Sequence, residues 1–134
     1  SLAVMADSVG SGEQIGRGSV LIVDDESALC EMAAEMLSAS GYRVFTALGG
    51  EQALFILERE QIDLLVSDVI MPQMNGYQLA GRVKQRFPRV KIQLMSGYSD
   101  NVETAAADKT LSEHLLQKPF RAEELLSRVH SLLD

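Results

Sequence analysis

Three aspartates, a serine and a lysine are the residues of this chain that could do chemistry together: Asp24 and Asp25, Asp68, Ser96, and Lys118. Each follows a short run of strand length. Residues 20–23 lead into Asp24 and Asp25, residues 62–66 lead to Asp68, residues 90–95 to Ser96 and Gly97, and residues 115–117 to Lys118 and Pro119. Two like unit charges ~4 Å apart repel by roughly 4 kcal/mol at an effective dielectric near 20. Three aspartates brought together therefore need a cation among them. A site built only of oxygen ligands suits a hard divalent ion that keeps several waters and is held by one or two carboxylates plus a phosphate, a description that fits Mg²⁺. Lys118 would add a compact point charge for an oxygen of a phosphoryl group. A carboxylate can also be a nucleophile and form an acyl phosphate, and Asp68 is the one that stands singly at its strand end. Ser96 can hydrogen-bond a phosphoryl oxygen, and Gly97 lets such a group approach the backbone closely.

Taken singly, each of these features has a plainer explanation. Asp24, Asp25 and Glu26 could be a helix N-cap with favourable dipole charges, Asp68 a turn residue, and Lys118-Pro119 a solvated loop. Their occurrence as a set at four strand ends favours a site.

The elements that must position this set read clearly. From Ser19 the chain alternates strand and helix. A fully apolar strand at 19–23 is followed by a helix with Ala28, Leu29, Met32, Ala33, Met36 and Leu37 at helical spacing, Glu31 and Glu35 on the other face, and Gly41 as its stop. A strand at 42–46 leads through Gly49 and Gly50 into a helix carrying Ala53, Leu54, Ile56 and Leu57. The strand before Asp68 comes third, and its loop holds Pro72, Asn75 and Gly76. A helix with Leu79, Ala80 and Val83 inward precedes a fourth strand at 91–95, and Asp100 or Asn101 can cap a weak alanine-rich helix through Ala107. A short fifth strand precedes Lys118, and Ala122, Leu125, Leu126, Val129 and Leu132 mark the closing helix. Five strands alternating with five helices predict an α/β domain with a doubly wound parallel sheet in the flavodoxin-like order 2-1-3-4-5. That order sets strands one and three side by side, so Asp24, Asp25 and Asp68 become neighbours where the strand order reverses.

With 134 residues the chain is read as one domain over 19–134, preceded by a Gly- and Ser-containing linker or tail over 1–18. A net charge of −7 disfavours direct binding to nucleic acid or to an anionic membrane surface. No apolar run approaches ~18 residues and no signal peptide is evident, so the cytoplasm is the default compartment. Cys30 is the single cysteine, is read as a packing residue, and cannot form an internal disulfide. His114 and His130 have no metal-ligand spacing and are read as surface or packing residues, and the six methionines as core filler.

Four motifs, LIVDDE at 21–26, VSDVIMPQMNG at 66–76, LMSGYSD at 94–100 and LLQKPF at 115–120, resemble in order and spacing those of the receiver domains of two-component response regulators. The resemblance covers about residues 19–134. It implies that Asp68 accepts phosphate from the phosphohistidine of a histidine kinase, that Asp24, Asp25 and Asp68 hold Mg²⁺ with the backbone carbonyl of Ile70, that Ser96 is the switch hydroxyl, and that Lys118 contacts the phosphoryl group. The family's switching aromatic falls three residues before the lysine, where this chain has Leu115. Tyr98, two residues after Ser96, is the nearby aromatic, and it is expected, with Ile70, to shield the acyl phosphate from water. LMSGYSD and LLQKPF look like the receivers of hybrid sensor histidine kinases; a stand-alone regulator would read the same way.

As implied, the domain is a phosphorylation-controlled interaction module, a monomer or weak dimer. It would promote its own phosphorylation and dephosphorylation without being an enzyme by itself, any histidine kinase activity belonging to a parent chain. Its partners would be a histidine kinase's phosphohistidine domain, in cis or in trans, and a histidine phosphotransfer protein. A phosphohydrolase of the haloacid-dehalogenase type is the rival from another class, but it wants a second carboxylate two residues after the nucleophile, where this chain has Ile70. A binding domain with a decayed site is the third reading, and the presence of all the polar residues argues against it.

Overall fold

The computed structural model describes residues 17–97, 111 and 114–134. Five strands, β1 (Ser19–Val23), β2 (Arg43–Ala47), β3 (Leu64–Asp68), β4 (Lys91–Ser96) and β5 (Leu116–Gln117), form one sheet in the order β2-β1-β3-β4-β5. All neighbours are parallel, with Val23 beside Ser67, Asp68 beside Met95 and Ser96 beside Gln117. Among the described residues there are four helices, α1 (Ser27–Ala39), α2 (Gly50–Arg59), α3 (Gly76–Arg86) and α4 (Ala122–Leu133). The expected alanine-rich helix at 100–107 and most of the expected linker lie outside the described residues. No helix among the described residues is long and apolar enough to cross a membrane.

The period of two along each strand divides the core between the two faces. Val20, Ile22, Leu64 and Val66 pack with Cys30, Leu37, Leu125 and Val129 on the face covered by α1 and α4. Leu21, Val23 and Leu65 pack with Ala53, Leu57, Leu79 and Val83 on the face covered by α2 and α3. Because both faces are covered, β1 and β3 are buried throughout and carry no polar alternation. Asn75 caps α3 through a reciprocal pair of bonds with Gln78, 2.8 and 2.9 Å long, and Gly41 leaves α1 at φ 102°.

Several boundaries differ from the sequence expectation for local reasons. The third strand starts at Leu64 rather than 62, because the Asp63 carboxylate turns aside to accept a bond from the Ser19 amide at 2.8 Å. The second strand starts one residue late, at Arg43. Tyr42 precedes it, buried, with its hydroxyl 2.8 Å from His130 Nδ1 and donating to Asp134 Oδ2 at 2.9 Å. His130 also pairs with Asp134, so it ties the end of α4 to the start of β2. On α1 the buried stripe is Cys30, Ala33 and Leu37, with Leu29 and Met36 at its margin. Ala28 and Met32, expected inward, fall outside that stripe and are exposed.

Cys30 packs as expected, its thiol directed at the backbone carbonyls of Asp24 and Ala47 at 3.4 and 3.7 Å. Burial, reinforced by the negative charge of Asp24, pushes this thiol from 9.0 up to about 11. The unfolded chain loses the proton first, so the folded state should lose stability as pH rises from about 9 to about 11 and no further beyond. Denaturant unfolding across that range should show the wild type falling more steeply than Cys30→Ala, whereas parallel profiles would contradict the burial argument.

Candidate functional site

The carboxyl ends of β1 and β3, adjacent in the sheet, deliver Asp24 and Asp68, and the edge strand β5 delivers Lys118 from the other side of β4. Both aspartates follow the last residue of β1, Val23, and they differ in burial. Asp24 is fully buried and Asp25 is exposed. One oxygen of each of Asp24, Asp25 and Asp68 lies within 4.8 Å of the others. Lys118 Nζ donates to Asp24 Oδ2 at 2.7 Å and sits 3.1 Å from Asp68 Oδ1.

Asp24 uses its two oxygens separately. Oδ1 accepts the Glu26 amide at 2.9 Å and so organises the entry to α1, while Oδ2 takes the lysine. Glu26 is the N-cap of α1 and makes no side-chain capping bond, so Asp24 orders the turn that precedes the helix rather than capping it. Burial works against the charge on Lys118, but the hydrogen bond and charge of Asp24, followed by those of Asp68, outweigh it, and the ammonium holds its proton more tightly than a free lysine does. Three carboxylates against one ammonium leave the set net negative. That donor set, all oxygen, partly open through Asp25, fits a hard divalent cation.

The backbone around Asp68 is closely built. The Val69 amide donates to Met95 O at 2.9 Å and the Gly76 amide to Val69 O at 2.7 Å, bringing the start of α3 against the end of β3. A Cβ at position 76 would lie 2.3 Å from the Asp68 carbonyl oxygen, so only glycine permits the approach. In the sequence Gly76 reads as a turn residue, and its distance from Asp68 along the chain gives no hint of this contact. In the intervening loop Gln73 stands at φ 72°.

Ser96 ends β4, nearly buried, with Oγ donating to Gly97 O at 3.3 Å. The Lys118 amide donates to Ser96 O at 2.8 Å, and the Lys118-Pro119 bond is cis. Ile70 is exposed and Leu115 half-buried, whereas Tyr98 lies outside the described residues. A groove of about 450 Å³ opens beside the lysine, lined by Glu26, Leu29, Met32, Gly97, Pro119 and Phe120. Met32, missed as a surface residue because its type fitted the helical stripe, contributes to its apolar wall.

Residues 20–130 match the response regulator receiver domain family. The chain is 36% identical over 110 residues to the response regulator protein FleR of Pseudomonas aeruginosa, an alignment covering 82% of this chain and 23% of FleR. It is 32% identical over 121 residues to the sensor kinase CckA of Brucella abortus, covering 89% of this chain and 13% of that protein. The chain thus spans about a quarter and about an eighth of these curated relatives. Among solved structures, the receiver domain of the hybrid histidine kinase CckA superposes with a TM-score of 0.72 at 36% identity, covering 87% of this chain and 100% of that one. The receiver domain of an HD domain-containing protein from Pseudomonas fluorescens Pf-5 gives a TM-score of 0.78 at 29% identity, over 88% and 95% of the two chains. The sheet order, the acidic cluster with its lysine and these likenesses converge, and the chain belongs to the receiver domains of two-component response regulators.

Proposed function

We propose that this domain accepts a phosphoryl group on Asp68 from the phosphohistidine of a histidine kinase, and that the modification switches a surface read by a partner. The observation that carries the reading is the Lys118 ammonium held between Asp24 and Asp68, a charge already stationed where a phosphoryl oxygen would arrive. Asp68 Oδ attacks phosphorus as the P–N bond to the donor ring breaks. From a ring protonated on its other nitrogen, the bonding pair stays on the ring and leaves neutral imidazole. Asp24, Asp25 and Asp68, with the Ile70 backbone carbonyl, would hold Mg²⁺, which when bound supplies neutralising charge for the phosphoryl oxygens.

A phosphoryl group adds about −1.5 to −2 charge. Lys118 then exchanges its bond to Asp68 for one to a phosphoryl oxygen, and the Ser96 hydroxyl, which donates to the neighbouring Gly97 carbonyl, turns to donate to another. Moving a population from 1:99 to 99:1 takes ~5.5 kcal/mol, which a few charge-assisted contacts can approach. The donor domain would dock in the apolar groove of Leu29, Met32 and Phe120 beside the lysine. We place the domain in the cytoplasm, with Ile70 and Tyr98 limiting the access of water to the acyl phosphate. The 36% identity over the whole CckA receiver supports a hybrid kinase as the parent chain, with a histidine phosphotransfer protein as a further partner; the likeness to FleR supports a response regulator as the alternative parent.

Incubation with acetyl phosphate and Mg²⁺ should add one phosphoryl mass to the wild type and none to Asp68→Ala, by intact mass spectrometry. Uptake by Asp68→Ala, or uptake independent of Mg²⁺, would overturn the assignment. A separate expectation concerns charge. In metal-free buffer Asp25→Asn should be more stable than the wild type by about 1 kcal/mol at solvent-like screening and so melt higher, and Mg²⁺ should stabilise the wild type more than the variant. An unchanged or lowered melting temperature for Asp25→Asn in metal-free buffer would argue against the repulsive cluster.

A further inference from the structure

We infer that Arg128 and Gln93 act together as positioning residues for Lys118, fixing the place of β5 at the edge of the sheet; the inference rests on the phosphoacceptor reading above. β5 comprises only Leu116 and Gln117 and pairs with β4 alone, at the edge of the sheet. So short a strand specifies its own register weakly. A slip of one residue would move Lys118 by about 3.3 Å and exchange the faces of Leu116 and Gln117. That displacement exceeds any slack in contacts of 2.7 and 3.1 Å to Asp24 and Asp68.

Something besides the ladder must therefore hold β5, and the polar residue buried in β4 supplies it. Gln93 is buried in a strand whose neighbours Leu94 and Met95 are core residues. Its Nε2 donates to His114 O at 2.7 Å and to Leu94 O at 2.8 Å. Its Oε1 accepts from Arg128 Nη1 at 2.9 Å, and the same guanidinium nitrogen donates to His114 O at 2.9 Å. The carbonyl two residues before β5 is thus gripped by donors from both β4 and α4. At the other end, the Lys118 amide donates to Ser96 O at 2.8 Å. The strand is pinned on both sides, and the lysine follows directly from the second pin. A cleft of about 430 Å³ beside Gln93, His114 and Arg128 leaves the guanidinium side incompletely packed, so directed bonds rather than close packing hold this junction.

The test compares Arg128→Ala and Gln93→Leu with the full wild-type chain; the leucine keeps the strand position filled should the alanine variant fold poorly. Native-state hydrogen exchange reads the Lys118 amide against the Asp24 amide, which bonds Ala47 O on the far side of the sheet. Exchange at Lys118 should quicken about tenfold or more in either variant while exchange at Asp24 stays unchanged, the selectivity expected of local rather than global opening. The rate of Asp68 phosphorylation by acetyl phosphate at saturating Mg²⁺ should fall by at least about threefold, as a displaced charge stabilises the transferring group less well. Unchanged exchange at Lys118, equal acceleration at both amides, or an unchanged phosphorylation rate would overturn the inference. Should the wild type take up no phosphoryl group while the exchange result holds, the phosphoacceptor reading fails and the pinning of β5 stands.

Discussion

The ammonium of Lys118 between Asp24 and Asp68 is the contact on which the site depends. Taking a carboxylate as buried as Asp24 out of water is costly unless it is paired and hydrogen-bonded, and here one oxygen meets the lysine and the other a backbone amide. Each partner comes from a different strand, so the pair exists only when β1, β3 and β5 are all in register. The fold and the charge pair therefore hold each other in place.

Placing three carboxylates and one ammonium at the same sheet edge also stores an imbalance. Asp24 is committed to the lysine and to the α1 entry, whereas Asp25 faces solvent and is free to meet an ion arriving from outside. Burial divides the consecutive aspartates into one that builds the site and one that opens it. Around them, Gly76 presses the start of α3 onto the Asp68 carbonyl, which limits how far the backbone at Asp68 can shift.

The architecture was legible from sequence because the cores of β1 and β3 are apolar runs closed by aspartate, Gly or Pro stand near most other element ends, and each helix has an apolar stripe. The order of the strands followed from their number and the handedness of the crossovers, and it brought Asp24, Asp25 and Asp68 together before any coordinates did. What resisted reading depended on through-space detail. Adjacent identical residues such as Asp24 and Asp25 give no sign of which one is buried. Met32 sits one position off the stripe that Cys30, Ala33 and Leu37 define, and a methionine is at home on either side of that line. Tyr42 and His130 are 88 residues apart, and no local pattern couples them. Gln93 did carry a signal, being the one amide of β4 and flanked by Ile92 and Leu94; its partner Arg128, 35 residues on, did not.

The most direct test is the side-chain ¹⁵N and ¹H resonance of Lys118, followed by NMR at constant saturating Mg²⁺ before and after addition of acetyl phosphate. This resonance should move when Asp68 becomes phosphorylated in the wild type and stay in place in Asp68→Ala under the same conditions. A Lys118 signal that stays where it was while Asp68 carries the phosphoryl group would contradict the claim that this lysine is the charge the phosphoryl group recruits.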